Sequence, residues 1–193
     1  MSKMILHVCC ASCALPVIAY LLETEKYVKS DLILLFYNPN IYPEAEEQKR
    51  LSDVEKISKI FDLKLSVISW DHEFWKEYLK KELDMPLEEY QENGLRCQAC
   101  FRYRLKEVYD FALKNSFDFW ATTLSVNRFK DVRYINDFCL GLGQNIKYKI
   151  FNLDPNVANN LSLKMSKTYN IYCQKYCGCE YSMNNSFLKK KLV

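Results

Sequence analysis

The stretch MILHVCCASC, residues 4–13, decides the reading of this chain. Its first five residues form a short, nearly unbroken apolar run, the pattern of a strand buried on both faces of a parallel sheet. Two adjacent cysteines follow at once, and a third comes three positions later. Three thiols at the end of a buried first strand have three explanations: core packing, a disulfide, or a metal.

Outward from that run, strands and helices alternate. Helices are expected over 14–29, 44–61, 72–81, 101–114, 132–142 and 159–169, and further strands over 32–37, 63–68, 117–121 and 148–151. Asn38-Pro39 stops the second strand, and Val54, Ile57, Ile60 and Phe61 fall near one face of the helix over 44–61. The alternation predicts an α/β fold, a mostly parallel sheet with helices on both faces. Ligands of such sheets bind beyond the C-terminal ends of the strands. Cys9, Cys10 and Cys13 lie there, and Thr122 and Thr123 follow a later strand in the same way.

The chain has 193 residues, 49% of them hydrophobic, which suits one domain over 1–193 with a real core. No linker or fixed-period repeat divides it. No stretch approaches the roughly 18 apolar residues of a spanning helix, and the opening run is too short for a signal peptide. The expectation is a soluble, cytoplasmic protein with no membrane partner. Residues 1–94 carry 11 Lys/Arg against 17 Asp/Glu, and residues 95–193 carry 16 against 7. That asymmetry points a polyanionic partner at the C-terminal half. An unevenly charged solvated surface, with the lysine run at 189–191 as a frayed tail, explains it equally well.

Nine cysteines, an odd number, argue against a disulfide framework in a reducing compartment. Seven of them cluster: Cys9, Cys10 and Cys13, then Cys97 and Cys100, then Cys177 and Cys179, with Cys173 near the last pair. Cys139, in DFCLGL, reads as a packed core thiol. Taken alone, Cys97-Gln-Ala-Cys100 fits a redox pair, two zinc ligands, two iron–sulfur ligands, or thiols packed inward at a helix start. Arg96, Arg102 and Arg104 nearby favour thiolate or a negative cluster. Seven thiols exceed what one tetrahedral ion uses. One cluster plus a second metal, or plus a redox pair, accounts for the number. Gly178 lets the backbone turn so that Cys177 and Cys179 aim at one site. His7 shares the face of Cys9 and reads as an orienting or proton-delivering residue more readily than as a ligand.

Five motifs occur in order: HVCCASC (7–13), YNPNIYP (37–43), GLRCQACFRYRL (94–105), ATTLSVNRFKD (121–131) and IYCQKYCGCEYS (171–182). Together they resemble the QueH-type, cobalamin-independent epoxyqueuosine reductases across nearly the whole chain. The resemblance implies a Rossmann-like frame of the adenine nucleotide α-hydrolase type. It implies reduction of the epoxide of epoxyqueuosine at the tRNA wobble position, giving queuosine. It also implies a 4Fe-4S cluster with an adjacent iron ion. Carried onto this chain, Cys9, Cys10, Cys97 and Cys100 hold the cluster. Cys13, Cys177 and Cys179 serve the adjacent iron or a redox pair, and a Cys-rich segment over 171–183 packs onto the active site. His7, Tyr37 and Lys130 join Cys13, Cys177 and Cys179 as catalytic candidates. Asn38, Asn40, Arg50, Arg96, Arg102, Thr122, Thr123 and Lys130 are candidates for the substrate, a tRNA anticodon loop. A low-potential electron donor is the second partner.

The chain departs from that family's pattern in places. Ser12 stands for a proline, Asn127-Arg128-Phe129 for Ser-Pro-His, leaving only Lys130, and Cys173 for an arginine. Phe101, Phe129 and Tyr172 read as core residues more readily than as platforms for bases. Two rivals share these features. A nucleotide-dependent tRNA sulfur transferase has the same frame, but HVCCASC stands where its SGGxDS-type loop belongs. A non-enzymatic, zinc-stabilised RNA-binding module needs only the cysteines.

Overall fold

The first strand, β1 (Met4–Val8), runs through the middle of the sheet. It pairs with β2 (Leu32–Phe36) on one side and β4 (Phe119–Thr122) on the other. That position explains the apolar run, because both faces are covered. β3 (Lys64–Val67) lies outside β2, and β5 (Lys147–Tyr148) outside β4. The order is β3-β2-β1-β4-β5, and all pairs are parallel. This computed structural model describes residues 2–143 and 145–183; the lysine run at 189–191 lies outside them.

Side-chain alternation along β1 builds a core on each face. Leu6 and Val8 pack with Leu15 and Ile18 of α1 (Ala11–Ala19), Val54 and Ile57 of α2 (Glu44–Phe61) and Ala158 of α6 (Pro155–Thr168). Ile5 faces the other way. It joins Leu105 and Val108 of α4 (Leu95–Lys114), Trp120 of β4, and Ile135 and Cys139 of α5 (Val132–Gly141). Cys139 is therefore the core thiol its setting suggests. α3 (His72–Glu82) adds a smaller cluster around Trp75 and Leu79.

Three boundaries differ from the sequence expectation, each for a local reason. α4 starts at Leu95 rather than near 101, with Gly94 as its N-cap, so Cys97 and Cys100 stand inside the helix, one turn apart on one face. α6 starts at Pro155 rather than 159. Asp154 accepts from the N–H groups of Asn156 and Val157, and proline suits the first turn. The helix expected from 14 starts at Ala11, straight after Cys10, and gives way to a wider π-type turn over Tyr20–Thr24.

The chain winds outward from β1 to β3, then returns to lay β4 and β5 on the other side. The C-terminal ends of β1 and β4 therefore form the switch point of the sheet, where an open α/β fold leaves a crevice. The peptide after β1 carries Cys9 and Cys10. The turns after β4 carry Thr123 through Lys130.

Candidate metal centre and substrate cavity

Cys9 directly follows β1, Cys10 is the N-cap of α1, and Cys13 lies in its first turn. Their Sγ atoms lie within 4.8 Å of one another, and Cys9 and Cys10 stand 3.8 Å apart as free thiols. Hydrogen bonds from the Cys10 and Cys13 thiols hold Cys9 well below the ordinary thiol value, against the effect of burial. Burial pushes Cys10 up to about 12. Cys13 is raised as well, through its bonds to Cys10 and Cys9 and through burial. Three sulfurs at this spacing, hydrogen-bonded to one another, are the arrangement a soft cation would replace.

Other polar groups close round the trio. Thr123 Oγ1 lies 3.5 Å from Cys9 Sγ and accepts from the Cys9 amide at 3.3 Å. Gln174 donates from Nε2 to Cys10 Sγ at 2.9 Å, and its carbonyl accepts from the Ser12 hydroxyl at 2.9 Å. The Ser12 hydroxyl thus fixes the amide so that its N–H faces sulfur.

The remaining four clustered thiols are divided between two packing clusters, Cys97 with Cys9 and Cys10, and Cys100 with Cys179, and Cys177 acts electrostatically on Cys97, Cys100 and Cys179. Cys97 and Cys100 come from α4, and Cys177 and Cys179 from the segment after α6. Burial, with Cys177 and Cys100 beside it, takes Cys97 up to about 11, and burial with Cys177 takes Cys179 up to about 12. Lys130 Nζ donates to Cys177 Sγ at 2.8 Å, with Glu92 3.9 Å away. Burial alone would lower the Lys130 pKa, but Cys177 outweighs it and the group stays raised. Arg50 anchors the tail: it is buried, pairs with Glu46, and donates to the carbonyls of Cys177 at 3.0 Å and Tyr176 at 3.2 Å. Gly178 has φ +127, and a Cβ there would stand 3.1 Å from Arg50 Nη1, so the turn between the two cysteines needs glycine.

Arg104 is one turn beyond Cys100 on α4, 1% exposed, and acts electrostatically on both Cys9 and Cys100. It donates to Asn38, which in turn donates to the Val8 carbonyl at 3.0 Å. Its Nε has no hydrogen-bond partner although it is buried. A buried cation with an orphaned N–H, acting on Cys9 and Cys100, fits an anionic metal–thiolate assembly. The residues present therefore fit an iron–sulfur or other soft-metal centre.

A cavity of about 750 Å³ opens over this region, lined by Cys9, Cys13, Cys177, Arg50, Arg104 and Lys130 among others. Other candidates sit elsewhere. His7 is fully buried: the Tyr37 carbonyl, 3.0 Å from Nε2, accepts its proton, so Nδ1 accepts from Thr122 Oγ1 at 2.8 Å. Burial, with Arg104 nearby, takes His7 down to about 4, leaving it neutral at physiological pH. Tyr37, Asn38, Asn40, Thr122 and Thr123 are buried scaffold behind the cavity wall. Arg96 is buried and donates to the carbonyls of Leu87 and Tyr90. Arg102 pairs with Tyr134 and Glu82 on an outer face.

The sequence matches the family described as Epoxyqueuosine reductase QueH over residues 4–185. This chain belongs to that family. A QueH from Staphylococcus epidermidis is 31% identical over 186 residues, covering 93% of this chain and 76% of the relative. One from Thermotoga maritima is 28% identical, covering 95% and 91%. Among solved structures, the U34-tRNA thiolase NcsA from Methanococcus maripaludis, with its 4Fe-4S cluster, superposes with a TM-score of 0.58 at 16% identity. The match covers 99% of this chain and 66% of that one. No helix among the described residues is long and apolar enough to cross a membrane.

Arg104, read from the sequence as favouring thiolate, does act on Cys9 and Cys100, from the i+4 position beyond Cys100. Two residues of this site stood outside the sequence-based candidates. Gln174 sits three residues before Cys177 in the last motif. Asn127, whose Nδ2 lies 3.5 Å from Cys13 Sγ, had no signal beyond its place in an altered motif.

Proposed function

We propose that this chain reduces the epoxide of epoxyqueuosine in tRNA to the cyclopentene of queuosine, in the cytoplasm, using a 4Fe-4S cluster and an adjacent iron ion. The observation that carries the reading is the meeting of Cys9, Cys13 and Cys177 with Arg50, Arg104 and Lys130 at one cavity at the switch point of the sheet, with Cys10, Cys97, Cys100 and Cys179 buried. The frame is taken as Rossmann-like, of the adenine nucleotide α-hydrolase type, as one domain whose segment over 171–183 covers the site. The thiolase of matching fold, described with a 4Fe-4S cluster, supports that choice. The cysteines are divided as Cys9, Cys10, Cys97 and Cys100 for the cluster and Cys13, Cys177 and Cys179 for the adjacent iron or a redox pair; the packing of Cys9, Cys10 and Cys97 in one cluster supports the first set.

Converting an epoxide to an alkene consumes two electrons and two protons and releases water. When bound, the cluster passes electrons singly from a low-potential donor, and the iron supplies a Lewis-acid site. The chain supplies the rest. Lys130 holds a proton on Nζ at the cavity wall, where Cys177 keeps it charged despite burial, and is the proton donor of this scheme. His7, neutral and held at both ring nitrogens, positions the end of β1 against β2 and β4. Arg50 and Gln174 keep the tail over the thiols and water out. The anticodon loop is bound unstacked, with its wobble base inserted in the cavity.

The test is anaerobic purification and reconstitution, analysis for iron, sulfide and zinc, and incubation of the reduced protein with tRNA bearing epoxyqueuosine. Labile sulfide and appearance of queuosine are expected. A sample holding only zinc, or a reduced, cluster-loaded sample that never yields queuosine, refutes the reading.

A further inference from the structure

The turn at 127–130 forms one lip of the cavity. Phe129 stands there 60% exposed, unlike Phe101, which is buried in the core. The Arg128 guanidinium carbon lies 4.6 Å from the centre of the Phe129 ring, a cation–π pair at the surface. The backbone beneath is pinned. The Phe129 amide donates to Asn127 Oδ1 at 2.9 Å, its carbonyl accepts from Asn93 Nδ2 at 3.0 Å, and the Lys130 amide donates to the Asn127 carbonyl at 3.0 Å. An exposed phenyl ring gains nothing from water, yet here the turn holds it in place beside a cavity. That combination marks a contact surface more than a surface accident.

Charge selects the partner. Two carboxylates line the cavity beside this lip. Glu92 faces Lys130, and Asp131 caps α5 by accepting from the Tyr134 amide, so neither neutralises Arg128. Lys175, also on the cavity wall, is exposed. A ring that accepts any base on its face, coupled to a guanidinium that suits phosphate, is the equipment of a single-stranded nucleic-acid site.

We infer that Phe129 and Arg128 form a stacking subsite for an unpaired nucleotide flanking the base delivered into the cavity. This rests on the RNA-substrate reading above and adds to it which residues hold the neighbouring nucleotide. Phe129 provides the face, and Arg128 meets the phosphate while stiffening the ring.

The test measures anisotropy of a labelled anticodon stem-loop RNA bearing epoxyqueuosine, with the anaerobically reconstituted protein. Two further RNAs carry an abasic nucleotide on one side or the other of the modified base. Phe129→Ala is expected to weaken binding of the intact RNA by roughly 5- to 150-fold, the range of one base–aromatic stack, while Phe129→Trp binds at least as well as the native protein. With one abasic RNA the native protein falls to the level of Phe129→Ala, and the variant loses nothing further. Arg128→Ala flattens the slope of log K against log salt by about 0.7, one phosphate contact on a single strand.

Native affinity in Phe129→Ala overturns the inference, as does an equal loss on all three RNAs. So does unchanged RNA affinity with slower reduction by a protein electron donor, which would give the surface to that partner. A native protein that does not bind the RNA at all overturns the substrate reading and this inference together. The abasic RNAs report on the native protein, so the test holds even if a variant fails to fold.

Discussion

Replacing Arg50 by methionine should loosen the whole C-terminal segment, and the structure sets the size of the effect. The guanidinium is 2% exposed. It pairs with Glu46, itself almost buried, and donates to the carbonyls of Cys177 and Tyr176. Methionine keeps the apolar stem and removes every donor. Each charge-assisted bond contributes ~1.5–3 kcal/mol, and stripping one partner from a buried ion pair costs ~3–5 kcal/mol because the other charge is left stranded. These overlap, so the expected loss is about 3–5 kcal/mol, a large share of a domain's ~5–15 kcal/mol. With a urea m-value of ~2 kcal/mol/M, the midpoint should fall by about 2 M. Hydrogen exchange of the metal-free protein should show residues 172–182 opening well before β1. Arg50→Lys, a point charge without the planar fork, should lie between the two. A midpoint shift under about 0.5 M, with tail amides as protected as in the native protein, would refute the claim that Arg50 is the anchor.

Further outcomes follow from other parts of the structure. Cys97→Ala should abolish the broad iron–sulfur absorbance of the reconstituted protein, whereas Cys13→Ala should retain most of it and lose bound iron outside the cluster; the opposite pattern rejects the proposed division. Cys139 is pushed up to about 12 by burial, against 9.0 for a free thiol. Above pH 9 the unfolded chain therefore holds fewer protons than the folded one, and stability falls as pH rises. Cys139→Val should remove ~2 kcal/mol of that loss at pH 10.5, read from urea midpoints at pH 8 and 10.5. Equal declines in both proteins would refute it. Asn38→Ala strands Arg104 and should cost ~2–3 kcal/mol in urea unfolding, while Arg102→Ala, on an outer face, should cost under ~1 kcal/mol; similar values for the two would contradict their different burial.

The parts of this fold readable from sequence are those where a single period or a hard local rule operates. β1 and β2 were legible as apolar runs, and α2 as an amphipathic helix over the same residues, 44–61. The start of α4 was not, because Gly94 and two cysteines resemble a loop until the helix behind them is seen. The clustering of thiols was likewise visible as spacing, but spacing along the chain does not say which thiols meet. Cys13 turned out to share a point with Cys9 and Cys10 because α1 begins at once after Cys10 and curls its first turn back. The polar candidates show the same limit. Asn38, Arg96 and Thr122 lie in recognisable motifs, yet their side chains are consumed by carbonyls and ring nitrogens of the scaffold. Arg104 and Gln174, in the same motifs, are the ones turned toward sulfur.

The hydrogen bond between Gln174 and Cys10 spans 164 residues of chain. During synthesis the first three thiols, and later Cys97 and Cys100, emerge long before the segment that covers them exists. The Gln174 and Lys130–Cys177 contacts that close round the first thiols come from the last part of the chain to be made. The complete donor set exists only once translation has passed Cys179, so the finished site is a property of the whole chain and of neither end by itself.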